Sequence, residues 1–493
     1  MTTVETAPIA PLAWQPPAGA VWSGRWADGA SAMPVHDPED GTLLGHVTDA
    51  SPAEVDQAVT GVAAAVAADV GSGAGWAAWQ RREALEAASH LVVRHHEVLA
   101  ELISREGCKT VREARSEVSR AAETLRLSAQ QTGLLTGETL PFSDTARGAG
   151  RLGWYTREPV GVVAAITPFN DPLNLVAHKL GPALAGGNGV VLKPAEATPL
   201  TALAFVQILL DAGVPADYVA VVPGTGATAG RALVSHPLVD LVSFTGGFRT
   251  GNEVARAAGA KRTLMELGGN NAVLVLDDAD REAAAQSVAA GAFGVAGQNC
   301  LSVQRVFVAA PIADRFVQDV VDATETLRVG SKSDPRTDIG PLIGEREARR
   351  VQEWVAEACD GGAELRTGGR REGAFHWPTV LTNVPARARV MTEEIFGPVL
   401  VIERFDTLDE AVARANDTRF GLQAGVFTAG LESALSVAER LRVGAVMIND
   451  SSDFRIDAMP FGGPKQSGVG REGVRYAVEA MTEPKIIAVR HGG

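Results

Sequence analysis

The stretch GVVAAITPFNDPLNLVAHKLGPALAGGNGVVLKP, Gly161 to Pro194, decides the fold class. It opens on an apolar run, Val162–Ile166, turns at a proline-bounded segment, crosses the Ala- and Leu-rich stretch Leu173–Leu184, and reaches a second β-branched run, Val190–Leu192. Short apolar runs without polar alternation are strands covered on both faces, and strand–helix–strand order makes them neighbours in a parallel sheet. Val219–Val222, Leu241–Phe244 and Thr263–Leu267 continue the strands, with helices over Leu200–Ala212, Ala227–Ser235 and Thr250–Ala258. A second alternation begins after Ala272: strand Val273–Leu276, helix Ala279–Phe293, strand Gln304–Ala309, helix Ile312–Leu327, then strand Val399–Arg404, helix Leu408–Ala415 and strand Ala445–Asn449. The expected fold is α/β, with two doubly wound lobes, Glu266 near their seam and Cys300 in the second.

Outside these lobes the pattern changes. Ser51 to about Gln131 has helical spacing, clearest over Arg81–Ile103 and Val111–Leu127, and reads as surface helices remote from any site. Arg328 to Gly344 reads as irregular. Met1 to Trp22 holds four prolines and no basic cluster before an apolar stretch, so it is expected to be a loose arm and not a secretory signal.

Composition narrows the class. A chain of 493 residues exceeds one ordinary core, and 46% hydrophobic with 21% charged residues is the balance of a soluble globular protein. A formal net charge of −14 disfavours nucleic acid and anionic membrane surfaces as partners. No apolar run approaches the roughly 18 residues of a spanning helix. The three cysteines Cys108, Cys300 and Cys359 cannot form a disulfide framework and include no Cys-x-x-Cys pair. Free thiols in a reducing, cytoplasmic compartment and no structural metal are therefore expected.

Several short segments carry chemistry. Cys300 closes Gly-Gln-Asn-Cys (Gly297 to Cys300), and Glu266 heads Glu-Leu-Gly-Gly (Glu266 to Gly269). A thiol among small residues with a carboxylate at a strand end reads as a nucleophile with its base, acting on a carbonyl. Asn170, in the turn Thr167 to Pro172, offers an amide donor to a developing oxyanion. Lys193 and Glu196, at the carboxyl end of a strand, can grip the two hydroxyls of a ribose, and the glutamate repels a 2′-phosphate, favouring NAD over NADP. Two glycine turns compete for the phosphates: Gly224 to Ala229, which includes Gly226, and Phe244 to Gly247, whose glycines open a helix. The second fits better. Glu394 and Phe396, in Glu-Glu-Ile-Phe-Gly-Pro (Glu393 to Pro398), could hold a second ribose and a nicotinamide ring. Each residue also has an ordinary use: a buried structural thiol, a strand-end glutamate, a capping asparagine, a loop ion pair.

In this order and spacing, these segments resemble the aldehyde dehydrogenase superfamily from about Val35 to the C-terminus. The resemblance implies Cys300 as nucleophile, Glu266 as base for deacylation, Asn170 with the Cys300 amide as oxyanion hole, and Glu472 as a proton relay. It implies Phe169, Lys193, Glu196, Gly226, Thr245, Gly246, Gly247, Leu267, Glu394 and Phe396 around the dinucleotide. Residues 1–137 and 158–268 are then expected to form the NAD-binding domain and 269–470 the catalytic domain. Residues 138–157 with 481–493 would build an oligomerisation element, implying a homodimer or homotetramer. Departures from the common pattern bear on substrate. Phe169 and Asp171 replace the usual residues of the turn, and His178 stands where an aromatic residue often lines the tunnel. With Asn299, Leu301, Arg455 and Phe461, these positions imply a small polar aldehyde, a hydroxyaldehyde or semialdehyde ahead of a phosphonate. The segments look closest to the lactaldehyde and phosphonoacetaldehyde branches. A CoA-acylating semialdehyde dehydrogenase is the nearest alternative, against which Glu266 argues. A silent binding protein on the same scaffold is the remote one.

Overall fold

The computed structural model describes residues 19–22, 25–72 and 75–490. The N-terminal arm expected over Met1–Trp22 lies largely outside the described residues, and only its end is seen, as the strand Ala20–Trp22 pairing with Arg25–Ala27 and, at Val21, with Val221.

The first sheet follows the apolar runs of the sequence. Its five parallel strands lie in the order Val219–Val221, Gly189–Lys193, Val162–Ile166, Leu241–Thr245, Arg262–Glu266. The chain starts in the middle, moves outward one way, then returns and moves outward the other way. The order reverses between Val162–Ile166 and Leu241–Thr245, and the crevice above such a reversal is where doubly wound sheets bind ligands. In register, Thr245 stands beside Glu266, and Phe244 beside Ile166. The turn carrying Asn170, the Gly246–Gly247 turn and Glu266 therefore leave the same edge side by side. The short strand Gly468–Val469 joins this sheet antiparallel, with Gly468 opposite Glu266.

The second sheet has seven strands, with Asn271–Val275 near its centre between Val303–Ala309 and Gln423–Phe427. After Glu266 the chain passes Gly268 and Asn270 to the amino end of Asn271–Val275. Cys300 precedes Val303, which pairs with Asn271, so the thiol sits at that same amino end. The carboxyl edge of one sheet thus faces the amino edge of the other. Separate apolar clusters cover both faces of each sheet. A third sheet pairs Arg151–Pro159 with Thr482–Arg490 along their whole lengths and with Thr139–Leu140, leaving Ile486 and Val489 exposed.

Three local expectations need correction. Arg81–Ile103 is two helices, Ala78–Arg94 and His96–Glu106, because His95 takes a non-helical φ of −95° and ψ of 17°. That bend lets Leu99, Leu102 and Ile103 follow the core that Leu85 and Val92 enter. The sequence reading also left the helix Glu345–Asp360 and the strand Thr379–Thr382 unassigned. The third correction concerns the helix Val111–Gln131. It is not remote from the site: it packs on the helix Asn174–Gly186 and carries Glu117 and Arg120 into the polar cluster described below.

Candidate active site

Cys300 is held by a strained loop. After the helix Arg281–Phe293, Val295 and Ala296 adopt left-handed φ angles of 53° and 52°, a conformation costly for a β-branched residue. Gly297 follows at φ 68°, and a side chain there would run into the backbone of Gly397. The loop is fixed from outside: Val295 N–H donates to Glu113 at 2.7 Å, and Gln298 bridges Val295, Pro341 and Ile343. The Cys300 carbonyl accepts from Asn271 Nδ2 at 2.7 Å, and its Sγ lies 3.7 Å from Asn299 Oδ1. Burial pushes the thiol up; Arg455 opposes this, while Glu394, Glu266 and Asp171 add to it. Those four groups come from widely separated segments, and all act on one sulfur.

Glu266 ends its strand 5% exposed. Burial raises its carboxyl well above the usual range, and Glu472 raises it further against the pull of Arg455 and Lys179. Oε1 accepts from the Glu472 N–H at 3.2 Å, whereas Oε2 is buried with no partner among the described residues. A buried carboxylate oxygen without a donor is a place for water.

Asn170 is 8% exposed in the turn after Val162–Ile166. The ring of its neighbour Phe169 meets Phe396 edge-to-face at 5.7 Å. Phe396 itself sits at φ 48°. Asp171 does not face an open tunnel alone; it pairs with Lys109 and, at 3.6 Å, with Arg120. Glu117 completes that group, accepting from Lys109 Nζ and from the Leu173 and Asn174 amides that open the next helix. Glu117 and Arg120, with Lys109 just before their helix, escaped the sequence reading because that helix resembles a surface one. The signal available was Lys109, Glu113, Glu117 and Arg120 at near-helical spacing, with Ala114, Val118 and Ala121 on the buried face.

The remaining pocket residues form a chain of charges. Arg120 pairs with Asp457 at 2.9 Å, and Asp457 takes His178 Nε2 at 2.9 Å and Asn174 Nδ2 at 3.1 Å. His178 is fully buried, and burial with the nearby Arg455 lowers its pKa against the pull of Asp457 and Glu472. Arg455 pairs with Glu472 at 3.1 Å, not with Asp453 or Asp457, and its guanidinium stacks 3.8 Å from the centre of the Phe461 ring. Lys179 holds the other Glu472 oxygen at 3.3 Å. Asp453 accepts from Asn299 Nδ2 at 2.6 Å. Leu301 and Phe461 pack with Leu422 against Cys300.

The residues expected to hold a dinucleotide lie along the carboxyl edge of the first sheet and the loops beside it. Gly246 and Gly247 precede the helix Phe248–Ala258, whose first amides are free for a phosphate, and the buried Thr245 Oγ1 has no partner among the described residues. Among the described residues Lys193 Nζ donates to the Pro194 carbonyl alone, and burial lowers its pKa to about 8. Glu196 is exposed and accepts from Gly226 N–H at 2.6 Å, tying the first glycine turn to the proposed ribose clamp. Glu394 accepts from Gly269 N–H at 3.1 Å, and burial raises it to about 7. It crosses so close to Gly268 that a Cβ there would overlap the carboxylate. Leu267 bonds the Ser467 carbonyl through its N–H. Among the described residues no group of three or more His, Cys, Asp or Glu could hold a metal ion, and no helix is long and apolar enough to cross a membrane.

The model of the aldehyde dehydrogenase family matches residues 26–487, and the chain belongs to that family. It is 46% identical over 456 residues to aspartate-semialdehyde dehydrogenase 1 of Pseudomonas canavaninivorans, covering 92% of this chain and 96% of that one. It is 42% identical over 471 residues to 3-sulfolactaldehyde dehydrogenase of Priestia aryabhattai, covering 96% and 98%. Among solved structures, NADP-dependent glyceraldehyde-3-phosphate dehydrogenase of Bacillus halodurans superposes with a TM-score of 0.93 at 36% identity, covering 96% of this chain and 99% of that one. The protein is an aldehyde-oxidising oxidoreductase.

Proposed function

We propose that the protein oxidises a small aldehyde bearing a polar, preferably anionic, second group to its carboxylic acid, with NAD as acceptor and Cys300 as nucleophile. The observation that carries the anionic preference is Arg455. Its Nε is buried without an acceptor among the described residues, beside a thiol that the same guanidinium influences. A buried charged donor left open is a place for a ligand oxygen. Arg120, a third exposed, presents a second cation from the same cluster. The relatives named for aspartate semialdehyde and 3-sulfolactaldehyde act on aldehydes of this kind. Phosphonates stay in the range, since Lys109 and Arg120 supply basic groups that the sequence reading did not count.

In this reading the Cys300 thiol passes its proton through Glu266 to solvent as Sγ bonds to the aldehyde carbon, and the oxygen becomes anionic between Asn170 and the Cys300 amide. The dinucleotide, when bound, supplies the hydride acceptor. Glu266 Oε2 then takes a proton from a water whose oxygen bonds to the thioester carbon; the carbon–sulfur bond breaks and the acid leaves. The base must ionise to do this, and its raised proton affinity makes it a stronger proton acceptor than an ordinary carboxylate once ionised. Glu196, at the ribose end, supports NAD over NADP. Free acid as product, rather than an acyl-CoA, separates this from the CoA-acylating alternative.

The deciding experiment is a burst assay on Glu266→Gln with succinic semialdehyde. One equivalent of NADH per site followed by a stall is expected, and an unaltered steady state would remove the base. An activity screen over lactaldehyde, succinic semialdehyde, phosphonoacetaldehyde and butanal places the second group; equal kcat/KM for butanal and every charged aldehyde would refute the anionic preference.

A further inference from the structure

Arg455 bridges Glu472, His178 and the Phe461 ring. Its Nη2 reaches Glu472 Oε2 at 3.1 Å and His178 Nε2 at 3.3 Å, while Nε is buried without an acceptor among the described residues. Glu472 is the residue whose N–H holds Glu266 Oε1, and the same N–H and the Glu472 carbonyl exchange bonds with Phe461, the ring on which Arg455 stacks. Arg455, Phe461, Glu472 and Glu266 therefore form one connected unit. A cavity of about 10 Å3, lined by Lys179, Ser243, Glu266, Arg471 and Glu472, lies against the Glu266 end of this unit and has room for one water.

We propose that Arg455 is a positioning residue that couples recognition to hydrolysis: an anionic oxygen of the substrate seated on its open Nε offsets the charge it presents to Glu472 and Glu266, making Glu266 a stronger proton acceptor for the water that releases the product. The proposal rests on Glu266 being the base and on an anionic substrate. Groups facing Glu266 are Glu472 from the loop before the helix Val474–Ala480, Lys179 and His178 from the helix Asn174–Gly186, Arg455 and Arg471 from flanking loops, and Cys300. Glu472 raises the proton affinity of Glu266, while Lys179 and Arg455 lower it. Lys179 is fully enclosed and bonds Ser243 and Glu472. Arg455 is the cation with a buried donor left without an acceptor among the described residues. A charge at such a distance inside a protein is worth on the order of one pH unit at its neighbour.

The test is the pH profile of kcat, under conditions where the NADH burst shows hydrolysis to be limiting, for the parent, Arg455→Met and Arg455→Lys. Butanal serves as neutral probe and succinic semialdehyde as the anionic probe of equal carbon number. With butanal the acid limb of the parent should move up by about one pH unit in Arg455→Met and return in Arg455→Lys. In the parent, the limb for succinic semialdehyde should lie above that for butanal, and the two should coincide in Arg455→Met. A butanal limb unmoved by Arg455→Met overturns the coupling. A difference between the probes that survives in Arg455→Met, or a parent that turns over butanal but not succinic semialdehyde, overturns the substrate's part in it. Failure of the underlying reading shows separately, as Glu266→Gln without a stall.

Discussion

Replacing Glu117 with glutamine tests whether the helix Val111–Gln131 belongs to the site. Glu117 is 1% exposed, and its two oxygens have different duties. Oε1 accepts from the Leu173 and Asn174 amides at 2.7 and 3.0 Å; Oε2 accepts from Lys109 Nζ at 2.7 Å. Glutamine can keep its carbonyl on the two amides. Its Nε2 then faces the Lys109 ammonium, donor against donor. Breaking a buried pair by neutralising one partner costs about 3–5 kcal/mol. Lys109 retains Asp171, so the lower end, about 3 kcal/mol, is expected from urea unfolding. The cap also anchors the chain just after Asn170. A displaced catalytic donor lowers the rate steeply, so kcat/KM for butanal should fall at least about tenfold while NAD binding stays unchanged. A loss under about 1 kcal/mol with unaltered kinetics would mean that Glu117 is merely accommodated, and that the charge cluster does not hold the Asn170 turn.

Four further outcomes are expected. Cys300→Ser should abolish turnover yet retain NAD binding by fluorescence quenching; surviving oxidation would remove the nucleophile. Glu196→Ser should lower the KM for NADP relative to that for NAD by about tenfold, the factor tied to one lost charge repulsion of roughly 1.4 kcal/mol, and an unchanged ratio counts against the clamp. Glu394, raised to about 7, lends the dinucleotide-free protein stability that is complete below the unfolded value near 4.5 and lost as pH rises through 7. Glu394→Gln should therefore flatten the pH dependence of urea midpoints across that window, by about 3 kcal/mol, and the parent's slope persisting would refute the assignment. Asp457 anchors Arg120, so Asp457→Asn should raise the KM for succinic semialdehyde more than that for butanal; equal effects would separate Arg120 from recognition.

The apolar runs from Val162 to Leu267 could be read as a parallel sheet because burial on both faces leaves a mark in each strand alone, independent of its neighbours. The edge positions of Glu266, Asn170 and Cys300 were likewise legible: Glu266 ends a strand, Asn170 follows one and Cys300 precedes one, and each has glycine or proline close by in the chain. Lys109, Glu117 and Arg120 carry no such mark. Their spacing is that of any amphipathic helix with a charged face, and only the packing of Val111–Gln131 onto Asn174–Gly186 turns that face inward. The partners of Asp171 and Arg455 were illegible for the same reason. A loop aspartate or arginine has several opposite charges within reach in sequence, and its choice is made by depth. Arg455 had Asp453 and Asp457 nearby in the chain, but Phe461 and Glu472 are joined by a backbone bridge that offers a ring face and a carboxylate together. Stacking and pairing at one position outweigh either local aspartate, because the guanidinium satisfies its plane and its donors at once. That choice leaves Nε free, so the open donor follows from a long-range bridge and not from any motif around Arg455.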